Sequence, residues 1–124
     1  MIDAVFPDVI PTYGSVHSVL KRFAEQKKLL GAVFLDYCST FLGNEACCPR
    51  DDIELLFSVL ASRAVVAMTF CLRNGRGVDK ADIRRFFETT AKKAGRKLVM
   101  RDSFSYHPSM YFIVYVIGTD SPVV

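Results

Sequence analysis

Ser109–Gly118 reads SMYFIVYVIG, a stretch long enough for a β-strand and apolar on both of its sides. Met110, Phe112, Val114 and Val116 alternate with Tyr111, Ile113, Tyr115 and Ile117. A strand of that kind has to be covered on both faces. A chain of 124 residues has few elements to spare for the purpose, so part of the cover is expected from a second copy or another protein.

Working backwards, Arg96 to Phe104 forms a second strand, joined through Ser105-Tyr106-His107-Pro108-Ser109 as a hairpin. Before it, Asp79 is placed to cap a helix with Asp82 at the third helical position, and Gly95 to end it. Ile83, Phe86, Phe87 and Ala94 give that helix its core face. Pro49, Asp51, Asp52 and Glu54 open another helix, a proline in the first turn followed by acids at the positive end of the dipole. The spacing predicts that it runs to about Arg73, because Leu55 to Leu72 is apolar nearly all round.

Further upstream, Ser15 caps a helix carrying Val16, Val19, Leu20 and Phe23. Phe34, Tyr37, Cys38 and Phe41 resume the same period, predicting one bent helix or two up to Gly43-Asn44. Residues 1–14 are turn-rich, with Ile2 to Phe6 as a candidate strand. The expected fold is α+β in a single domain, residues 1–124: three to four helices packed on a C-terminal antiparallel hairpin, with that N-terminal strand as an addition. Leu56, Leu60, Val66, Phe70, Phe86, Phe112, Val114 and Val116 are the expected core.

Composition excludes several classes. Hydrophobic residues make up 51% and charged residues 23%, which suits a packed domain rather than a disordered chain. No apolar run approaches the roughly 18–20 residues that span a bilayer. The first residues carry Asp3 and no basic group, unlike a signal peptide, so the expected location is cytoplasmic or nuclear, with no membrane partner. Cys38, Cys47, Cys48 and Cys71 are then expected to be reduced thiols.

Charge is concentrated. Residues 73–101 hold ten of the sixteen Lys and Arg but three of the thirteen acids. Arg76, Lys80, Arg84, Arg85, Lys92, Lys93 and Arg96 are the candidate contacts to a phosphate backbone of RNA or DNA. A solvated amphipathic helix explains the same pattern, and Glu88 interrupts the basic arc. Tyr111, Phe112 and Tyr115 would suit base stacking, but no glycine-rich ribonucleoprotein motif surrounds them.

Chemistry-bearing motifs are scarce. Cys38, Cys47 and Cys48 with His17 or His107 lack the paired spacing of a zinc site. There is no phosphate-binding glycine loop, nucleophile elbow or H-E-x-x-H, and Asp51 and Asp52 read as helix-start acids. The sequence therefore leads to a non-catalytic interaction module without cofactor or metal. It is expected to be homodimeric and to bind a protein partner, as an adaptor or an accessory factor of the kind viruses encode. Tyr111, Ile113, Tyr115 and Ile117 are its candidate interface, since an open strand edge invites strand addition.

Overall fold

The computed structural model describes residues 12, 14–37, 40–41, 43, 48–72, 79–106 and 109–119. In chain order the elements are α1 (Val16–Glu25), β1 (Leu30–Asp36), α2 (Pro49–Leu56), β2 (Leu60–Cys71), α3 (Lys80–Lys93), β3 (Arg96–Tyr106) and β4 (Met110–Thr119). The expected N-terminal strand at Ile2 to Phe6 lies outside the described residues.

The hairpin forms as its sequence requires. β3 and β4 are antiparallel, from Arg96 opposite Thr119 to Tyr106 opposite Met110, with a bulge between Met100 and Asp102. β4 is not an edge strand, however. It lies between β2 and β3 in a sheet of order β1-β2-β4-β3, antiparallel to both neighbours, while β1 runs parallel to β2.

Two of the expected helical stretches are strands. The long second helix stops at Leu56, and Leu60–Cys71 is the central strand β2. An apolar run of this length suits a buried strand as well as a buried helix, so periodicity does not separate them. The β-branched and aromatic residues Val65, Val66, Thr69 and Phe70 favour the strand, which is flanked on both sides by partners. Likewise Phe34 and Tyr37 do not continue the first helix. α1 ends at Glu25, Lys27 follows in the left-handed region at φ 56°, and Leu30–Asp36 forms β1.

Register places the core. Tyr111, Ile113, Tyr115 and Ile117 of β4 are buried and sit opposite Phe70, Met68, Val66 and Ala64 of β2. They share one cluster with Leu20 of α1, Ile53 and Leu56 of α2, and Ile83 and Phe87 of α3. All three helices thus cover the same face. Ring contacts there include Phe87 of α3 against Tyr115 at 4.8 Å and Phe86 of α3 against Phe41 at 5.2 Å.

Among the described residues, the opposite face is open. Phe34, Val65, Val99 and Phe104 are exposed there, and Phe112, Val114 and Val116 are half-buried. Of the expected core, Leu56, Leu60, Val66 and Phe70 are buried and Phe86 is partly so, but the three β4 residues face outward. The requirement for two-sided cover is therefore met on one side by the chain's own helices.

α3 is held by the capping box its sequence announces. The Asp82 N–H donates to Asp79 Oδ1 at 2.9 Å, and the Asp79 N–H donates to Asp82 Oδ2 at 3.1 Å. That backbone bond, helped by the Arg85 guanidinium at 3.0 Å, keeps the Asp82 carboxyl below the usual carboxylate range. A depressed native pKa stabilises above the unfolded value and is lost as pH falls through the native one. Asp82→Asn is expected to lower the melting temperature at about pH 7, with the gap to the parent closing as the pH falls through the lowered native value. A gap that persists in acid would show that the cap does not depend on this carboxylate. Among the described residues, no helix is long and apolar enough to cross a membrane.

Candidate active site

In open α/β sheets, ligands bind beyond the carboxyl ends of the parallel strands. Here that place is the end of β1 and β2, where an exposed acid closes an otherwise apolar strand. Asp36 sits opposite Thr69 on the open face, and the Thr69 hydroxyl donates to Asp36 Oδ1. The threonine is buried, so it fixes the carboxylate's orientation and leaves Oδ2 for a ligand. Phe34, one turn of the pleat back on the same face, meets Phe112 edge-on at 6.2 Å, and Phe104 lies 5.0 Å beyond it. The result is a carboxylate at one end of a short row of rings.

The backbone just after Asp36 is anchored from the helical side. The Tyr37 N–H donates to the Thr69 carbonyl at 3.1 Å, extending the β1–β2 ladder by one residue. Its ring stacks on Phe70, 5.7 Å away and 5° from parallel. Its hydroxyl donates to Asp52 Oδ2 at 2.6 Å. Asp52 is buried in the first turn of α2, and its other oxygen lies 3.4 Å from Nδ1 of His17 on α1. One buried acid thus ties α1, α2 and the end of β1 together. A buried carboxylate is tolerated only with such partners. Asp52 is more than a helix-start acid.

Deeper along β4, the Tyr111 and Tyr115 hydroxyls are buried without a hydrogen-bond partner among the described residues. Burial pushes the Tyr115 phenol upward. Lys80, at the start of α3, lies over the Tyr111 ring at 5.6 Å.

The sequence-derived candidates are distributed as follows. Lys80, Arg85, Lys92 and Lys93 are exposed along α3, and Arg84 is half-buried. Arg96 is committed internally: it donates to the carbonyls of Gly118 at 2.7 Å, Ala61 at 2.5 Å, Ser62 at 3.3 Å, Leu60 at 3.4 Å and Ile117 at 3.5 Å. Arg76 lies outside the described residues, as do the weighed metal ligands Cys38, Cys47 and His107. Among the described residues no group of three metal-ligating side chains assembles. Tyr111, Ile113, Tyr115 and Ile117 are enclosed by the chain's own helices, so the surface left for a partner is the other face. Asp36 and Thr69 escape a reading of the sequence. Their signal is an acid ending the apolar run LGAVFL, legible only once that run is read as a strand.

No protein family and no curated protein matches the sequence. The fold is similar to that of M1.HpyAVI solved in complex with SAM (S-adenosylmethionine), with a TM-score of 0.52 and 10% identity over 88% of this chain and 54% of that one. A second structure of M1.HpyAVI gives a TM-score of 0.53 and 11% identity, over 89% of this chain and 55% of that one. The chain spans about half the length of these proteins. At this identity the likeness is one of fold. It corrects the expectation of a non-catalytic interaction module and of a protein that is not an enzyme: the chain shares its fold with a protein solved in complex with SAM.

Proposed function

We propose that the chain forms part of a methyltransferase using S-adenosylmethionine, with the methyl-accepting group of the substrate positioned at Asp36. The observation that supports this most is the coincidence of two things. The fold is shared with a protein solved holding SAM, and the carboxyl end of its parallel pair carries a fixed, exposed carboxylate beside aromatic rings. The residues suit such a cofactor, a sulfonium cation bearing a flat adenine. Asp36 balances positive charge, while Phe34 and Phe112 offer ring faces and edges. When bound, S-adenosylmethionine supplies an electrophilic methyl group.

What the chain's own side chains do follows from their contacts. Asp36 Oδ2 accepts a hydrogen bond from an N–H or O–H of the substrate and so orients the lone pair of that atom. Thr69 keeps the carboxylate in one rotamer. Tyr37 and Asp52 hold the backbone behind it, so the acid cannot swing away from the ladder. Titration calorimetry of the full chain with S-adenosylmethionine is expected to show saturable binding, competed by S-adenosylhomocysteine and abolished in Asp36→Ala at an unchanged melting temperature. Equal binding by Asp36→Ala would remove this acid from the site.

A polyanionic substrate is a second reading, favoured by the exposed cations of α3. Replacing Lys80, Arg85, Lys92 and Lys93 by Ala is expected to weaken binding to a mixed-sequence oligonucleotide. The salt slope should drop by about one unit for each phosphate that the helix no longer neutralises. An unchanged slope would exclude this helix as the binding surface.

A further inference from the structure

We draw no further inference here: the strongest candidate, the apolar groove between α1 and β1 lined by Val16, Val19, Phe23, Val33 and Leu35, with Lys28 over the Phe23 ring, carries nothing because nothing among the described residues shows what covers it.

Discussion

Arg96→Met is expected to destabilise the protein by about 3 kcal/mol, since five carbonyls are deprived of a charged donor at once. The guanidinium joins the end of β4, through Gly118, to the first residues of β2, Leu60 to Ser62. Methionine keeps the length and apolar stem of the side chain, so the change isolates the hydrogen bonds from the packing. Chemical denaturation should give a lower midpoint with an unaltered slope, and the weakening should concentrate in amides near the amino end of β2. Arg96→Lys should recover a minority of it, because one ammonium cannot span carbonyls on two strands. A midpoint unmoved by Arg96→Met would mean that water replaces the guanidinium without cost, and that the strands need no clamp.

The second large effect is kinetic. Asp36→Asn is expected to reduce methyl transfer by about 10²–10³-fold with little change in stability, the range seen when one preorganised polar group facing a reacting centre is removed. Asn can still meet the Thr69 hydroxyl, which keeps the fold of the β1 end, but it lacks the charge that balances a sulfonium and orients a donor on the substrate. Thr69→Val should show a smaller decrease, about tenfold, since the carboxylate remains but rotates. Variants that keep full turnover would place the chemistry away from Asp36.

How much of this is legible in the sequence depends on the element. The hairpin, the capping box of α3 and the proline start of α2 each rest on local rules, and each forms as those rules require. β2 reads as helix because Leu60–Cys71 is apolar on both faces, and such a run satisfies helical and strand patterns alike. Only its position between β1 and β4 settles the matter, and position is not written locally. β1 is hidden for the related reason that Phe34, Tyr37 and Phe41 fall by accident on a helical period. With β1 hidden, so is the parallel pair. The acid at its carboxyl end then carries no meaning, and the basic segment and the apolar strand stand out instead. The buried tie between Tyr37, Asp52 and His17 joins three elements, so no spacing could announce it.

The most direct test of the site is ultraviolet cross-linking of methyl-labelled S-adenosylmethionine to the full chain, followed by peptide mapping. Saturable labelling, competed by S-adenosylhomocysteine, is predicted on peptides covering 30–37, 60–72 or 110–114. Labelling confined to α1 or the exposed side of α3, or labelling that does not saturate, would contradict a cofactor site at the carboxyl end of β1.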